Sequence, residues 1–108
     1  MSTEEREALL RDIQSEFRTS PRRFSLHAVM EATADRLPVG EVIRAIVDPN
    51  AEIIEDYPDD PRGRSCLILG WPAEGGPIHV VVSYPPDPAV ITVYRPDPER
   101  WVEYRERK

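Results

Sequence analysis

An α+β domain, with N-terminal helices packed on one face of a four-stranded antiparallel sheet, is what these 108 residues predict. Three observations carry that prediction. Apolar residues recur at helical spacing as far as Val47. From Ala51 onward they fall into short extended runs fenced by proline and glycine. The connections between those runs are too short for a helical crossover, so consecutive strands pair antiparallel.

The first helix is expected from Thr3 to about Phe17. Ser2 and Glu5 have capping-box spacing, and Leu9, Ile13 and Phe17 recur every four residues beside Leu10. Thr19-Ser20-Pro21 ends it. Residues 1–20 read as a helical extension and residues 21–108 as the domain. The pattern leaves open whether that extension is a docking arm or an integral helix.

The second helix starts at Ser25, a favourable N-cap, with Leu26, Met30, Thr33 and Leu37 as its expected inner side and Val29 nearby. The third follows Pro38 and carries Val39, Val42, Ile43, Ile46 and Val47, stopping at Asp48-Pro49-Asn50. Strands are expected at Ala51–Tyr57, Ser65–Trp71, Ile78–Tyr84 and Val90–Tyr94. In the first, Ile53 and Tyr57 should share one face and Ile54 take the other. The third is the most apolar and belongs at the centre. Asp97-Pro98-Glu99 opens a short terminal helix, to about Tyr104, with Trp101 packing inward.

Composition excludes several classes. The net charge is −6, with residues 1–50 at −2 and residues 51–108 at −4. A broad nucleic-acid footprint is disfavoured, although a small basic site remains open. Thirteen of the fourteen bases are arginine, which suits bidentate phosphate or carboxylate contacts but also follows from codon bias. No apolar run nears the ~20 residues of a membrane span. The start of the chain lacks a secretory pattern, and Cys66 is alone, so a cytoplasmic, reducing compartment is expected.

No zinc-ligand spacing, phosphate loop, dinucleotide fingerprint or nucleophile elbow is present, and no cofactor or metal is expected. Cys66, within an apolar strand, reads as a buried inert thiol. The run Glu52, Glu55, Asp56, Asp59, Asp60 matches no calcium loop and reads as a solvated strand end. Arg100, Arg105, Arg107 and Lys108 make a small basic tail, the best place for nucleic acid or an acidic partner to touch, though a frayed end is commoner.

Two histidines remain. His27 falls in the first turn of the second helix, where it is a candidate general base or a local structural group. His79 begins the third strand and faces away from Ile78 and Val80, onto what should be the open side of the sheet. Converging, they would form an acid–base pair for RNA cleavage by 2′-hydroxyl attack.

Six short segments in order carry a resemblance: Phe24-Ser25-Leu26-His27-Ala28, Glu41-Val42, Glu52 to Asp60, Cys66 to Gly70, Pro77 to Val82, and Ile91-Thr92-Val93-Tyr94-Arg95-Pro96-Asp97-Pro98. Together they resemble the bacterial domain of unknown function 4258, grouped with small RelE- and BrnT-like toxin folds. The resemblance implies a RelE-like sheet with helices on one face and a place in toxin–antitoxin pairs. It puts His27 and His79 at histidine positions of the family pattern. Where that pattern usually has arginine, four and eight residues after the first histidine, this chain has Glu31 and Asp35, with Arg36 adjoining.

The leading expectation is therefore a toxin–antitoxin-related protein acting as a metal-independent endoribonuclease. His27 and His79 would be acid and base, Tyr94 an orienting group, and Arg36, Arg64 and Arg95 phosphate contacts. RNA and an antitoxin-like protein are the expected partners, and oligomeric state is left open. The alternative is a non-catalytic protein-interaction module that binds through a sheet edge or the apolar face of the first helix.

Overall fold

The computed structural model describes residues 1–20 and 22–108; Pro21, read above as a helix stop, lies outside the described residues. Three helices, α1 (Thr3–Thr19), α2 (Leu26–Ala34) and α3 (Val39–Val47), precede four strands, β1 (Glu52–Tyr57), β2 (Ser65–Gly70), β3 (Ile78–Ser83) and β4 (Val90–Tyr94). The strands pair antiparallel in the order β1-β2-β3-β4, the α+β meander that the short connections required. A two-stranded hairpin, β5 (Trp101–Val102) and β6 (Glu106–Arg107), closes the chain.

The core lies between the helices and one sheet face. Leu10, Ile13 and Phe17 of α1, Ala28 and Ala32 of α2, and Val42, Ala45 and Ile46 of α3 meet Cys66, Ile68, Ile78, Val80, Val82, Val90 and Val93 there. Helix α1 is thus integral to the core. Its Gln14 side-chain amide donates to the carbonyls of Ile46 (3.0 Å) and Asp48 (3.2 Å), satisfying acceptors that the end of α3 leaves without helical donors. The capping box is formed: Glu5 N donates to Ser2 Oγ and Ser2 N to Glu5 Oε1, each at 3.1 Å. At Gly70 the sheet touches α3 so closely that a Cβ would sit 2.2 Å from the Ala45 carbonyl oxygen.

Four expectations need correction. The inner side of α2 is Ala28 and Ala32, while Leu26, Val29 and Met30 face outward. Backbone ties set the helix phase: Ser25 N donates to Val90 O at 2.8 Å, and Val90 N to Arg23 O at 2.9 Å. The Ser25 hydroxyl accepts from Ala28 N and donates to Ile91 O, so one side chain both caps α2 and docks it on β4. Two alanines then allow close approach.

In β1, Ile53 lies in the main core and Ile54 on the second face, as alternation requires, but the extra residue between Ile53 and Glu55 shifts the alternation, so Tyr57 also packs on the second face. The terminal segment is the β5–β6 hairpin, not a helix, although Trp101 does pack inward. Its turn places Glu103 at φ 50° and Tyr104 at φ 66°, with Arg105 N donating to Val102 O at 2.9 Å. That is the mirror-image turn suited to strand twist, here built without glycine or asparagine.

The hairpin also overturns the open sheet face. Trp101 joins Leu67, Val81 and Ile91 in a second cluster, flanked by Ile54 and Tyr57. Ion pairs of Arg105 with Glu52 (2.6 Å) and Arg107 with Glu55 (2.9 Å) strap the hairpin across to β1.

Candidate functional site

The hairpin seals His79. The imidazole has no exposed surface. Its Nε2 lies 2.7 Å from the Tyr104 carbonyl oxygen, and its Nδ1 lies 3.0 Å from the Tyr94 hydroxyl. Trp101 meets it edge-on with ring centroids 4.4 Å apart. Burial lowers the His79 pKa, so the ring is neutral. A carbonyl can only accept, so Nε2 carries the proton and Nδ1 accepts from the Tyr94 O–H. Burial likewise raises the pKa of Tyr94 and keeps its phenol protonated.

A bulge creates this pair. Val82 stands opposite Val90, and without irregularity His79 would face Val93. The register shifts between Val81 and Val82, and His79 instead faces Tyr94. The two left-handed residues at the hairpin turn then present the Tyr104 carbonyl to the other ring nitrogen.

His27 is elsewhere. It sits on α2 along the free edge of β4, largely exposed, with Nε2 3.3 Å from Glu31 Oε1. The same carboxylate oxygen accepts Val93 N at 3.0 Å, filling a vacant ladder position on the β4 edge. Glu31, where the resemblance led to arginine, therefore ties α2 to the sheet. Strand β4 stands between the two histidines, which share no hydrogen bond.

Tyr94 and Arg95 are brought together with residues of the hairpin. They line an open cleft of about 790 Å³ with Asp97, Arg100, Trp101 and Lys108. Arg95 also lines a neighbouring cleft of about 460 Å³, shared with Arg36 and the Pro72–Gly75 loop. Arg36 reaches that place because α2 ends in a Schellman arrangement: Leu37 N donates to Ala32 O, Arg36 N to Thr33 O, and Arg36 takes φ 56°. Arg95 Nη1 donates to Gly75 O at 2.8 Å. Gly75 has φ +87°, a conformation that strains any residue with a Cβ and favours glycine here.

Arg64 is not part of this group. It precedes Ser65, which pairs with Ser83, whereas Arg95 follows Tyr94 at the other end of the sheet. Strands of this length separate the two ends by roughly 17–20 Å. In the acidic run, Asp60 accepts from Arg62 backbone and side chain and from Ser65, which lowers its pKa to about 2. No group of three or more histidine, cysteine, aspartate or glutamate side chains suited to a metal ion stands together among the described residues. Burial pushes the Cys66 thiol up to about 12.

The sequence pointed to Tyr94, Arg95, Arg36 and the C-terminal bases one by one. It did not point to Tyr104, whose role is played by a backbone carbonyl and so leaves no trace in residue type.

Fold and site define a small α+β domain with a sealed histidine and a basic cleft beside it. Residues 24–95 match the family described as Domain of unknown function (DUF4258), and the chain belongs to that family. Helix α1 and the β5–β6 hairpin lie outside the matched span. Neither a curated protein nor a solved structure matches the chain. No helix among the described residues is long and apolar enough to cross a membrane.

Proposed function

We propose that this DUF4258 chain is a toxin–antitoxin-related cytoplasmic protein of RelE- or BrnT-like type that works as a non-catalytic protein-interaction module. The observation carrying this reading is the outward face of α2, where Leu26 is 75% exposed, Met30 63% and Val29 39%. At spacings of three and four residues they form one apolar stripe on a helix otherwise anchored by Ala28 and Ala32. Contiguous exposed apolar surface of this kind marks a contact site. Asp35 caps the end of the same helix, so a partner apolar at its centre and basic at its rim complements the surface. An antitoxin-like protein of that character is the proposed occupant. The sealed His79 supports the same reading, since a side chain without exposed surface cannot reach a substrate.

The test is calorimetric titration of the purified chain with a synthetic amphipathic helix, leucine-rich on one face and flanked by lysine and arginine. Binding that weakens about 30-fold or more in a folded Leu26→Asp/Met30→Asp variant supports the reading. Absence of binding, or equal binding by the variant, rules it out.

A second reading, the metal-independent endoribonuclease, is favoured by Tyr94, Arg95 and Arg36 standing at adjoining clefts. There Tyr94 would be the group facing RNA, His79 would orient it, and His27 would act only from the far side of β4. RNA cleavage in metal-free buffer by wild type, lost in a folded Tyr94→Phe variant, would replace the first reading with this one.

A further inference from the structure

The cleft at Tyr94 and Arg95 has a feature that neither partner binding nor the family match accounts for. It is locally basic in a chain of net charge −6. Arg95, Arg100, Arg107 and Lys108 line it against two acids, Asp97 and Glu99. Their engagements differ. Arg107 is committed, with Nε and Nη2 donating to Glu55 at 2.9 and 3.0 Å and the guanidinium lying over Trp101 at 4.6 Å. Arg95 uses Nη1 on Gly75 O and retains its remaining donors. Arg100 is loosely held: its side chain is 83% exposed and makes only a long ion pair, Nε to Asp97 Oδ2 at 4.0 Å. Glu99 N donates to the other oxygen of Asp97, Oδ1, at 2.9 Å. Lys108 N donates to Arg100 O at 2.9 Å, so hairpin closure places these two bases together.

We propose that this cleft, formed between the C-terminal end of β4 and the β5–β6 hairpin, binds the phosphate group of a nucleotide-sized ligand, with Arg95 and Arg100 as its donors and Lys108 adding charge. Guanidinium forks suit phosphate oxygens in paired hydrogen bonds. A volume of about 790 Å³ accommodates a nucleotide. The Tyr94 ring supplies a wall against which the rest of the ligand packs. The cleft opens to solvent, so a free nucleotide and a phosphate within an RNA strand both have access. The inference requires neither the protein partner nor any cleavage step. Tyr94 and Arg95 fall at the end of the span matched to the family, whereas Arg100 and Lys108 lie beyond it.

The experiment is an amide-shift titration of the ¹⁵N-labelled full chain at low salt and without metal. Inorganic phosphate, adenosine monophosphate and a short single-stranded RNA are added in separate arms. Saturable shifts centred on Arg95, Arg100, Trp101 and its indole N–H are expected, with affinity about tenfold weaker in Arg100→Glu. Because Arg100 is exposed, the variant keeps the wild-type spectrum elsewhere, and Lys108→Glu serves as a second variant. Similar affinity for the mononucleotide and the RNA identifies a free nucleotide as the source. RNA affinity about tenfold or more above the mononucleotide identifies a polynucleotide. No saturable shift by about 10 mM of any probe, or shifts unchanged in both variants, overturns the proposal.

Discussion

His79 Nδ1 and the Tyr94 hydroxyl meet at 3.0 Å across two neighbouring strands, and a single inserted residue in β4 makes them opposite. The contact joins the sheet to the hairpin, because the other ring nitrogen is held by the Tyr104 carbonyl. One side chain with two polar atoms thus locks three segments of chain.

Removing one half of this arrangement leaves a buried polar atom without a partner. Tyr94→Phe should destabilise the protein by about 1–3 kcal/mol, the cost of an unsatisfied buried acceptor. Trp101→Ala, which opens a cavity above the imidazole, should cost about 3–5 kcal/mol. Urea unfolding at neutral pH measures both, and a Tyr94→Phe variant as stable as wild type would contradict the bond.

His79 also gives the fold a pH dependence. Its folded pKa is lowered by burial from an ordinary value of 6.5, while Glu55 and the Tyr104 carbonyl pull the other way. Between the two values the unfolded chain binds more protons. This contribution is therefore complete above about 6.5 and is lost as pH falls from there toward the folded pKa. NMR titration of the His79 imidazole should show a midpoint below 6.5, and unfolding free energy should decline on acidification through that window. A midpoint above 6.5 would refute the assignment.

Gly70 should tolerate no side chain. A Cβ there meets the Ala45 carbonyl oxygen at 2.2 Å, and backbone cannot give way as a flexible side-chain tip can. Gly70→Ala should destabilise by about 1–3 kcal/mol or more through forced separation of α3 from the sheet. Thermal unfolding compares it with Gly40→Ala, whose added Cβ would meet nothing within 4 Å.

Cys66 should be unreactive in the folded protein. It has no exposed surface, and its thiol is pushed up to about 12 by burial and then by the nearby Asp56 charge. Ellman's reagent at pH 8 should label it only after denaturation. Rapid labelling of native protein would show the β2 core to be open.

Charge repair at Glu31 offers a separate check on α2. Glu31→Gln keeps an oxygen able to accept Val93 N but loses the charge beside His27. It should cost less than Glu31→Ala, which leaves the β4 edge N–H without that partner; the difference, of about 1 kcal/mol, is readable by urea unfolding.

Element type and order were legible in the sequence because they depend on local period and on breakers. The Ser2–Glu5 box, the Ser25 cap, the apolar face of α3 and the proline- and glycine-fenced strands are encoded within a few residues. The short strand connections also determined the antiparallel order. Which face each side chain takes was decided by tertiary structure. Inserted residues in β1 and β4 moved Tyr57 to the second sheet face and brought Tyr94 opposite His79. Backbone ties between Ser25 and Val90 set the phase of α2 and turned Leu26 and Met30 outward. A turn with Glu103 and Tyr104 in left-handed conformation, which their residue types do not announce, folded the last strands over the sheet and sealed His79. Residue type specifies what a segment can form, whereas burial and bonding of a side chain depend on the segments that reach it from far along the chain.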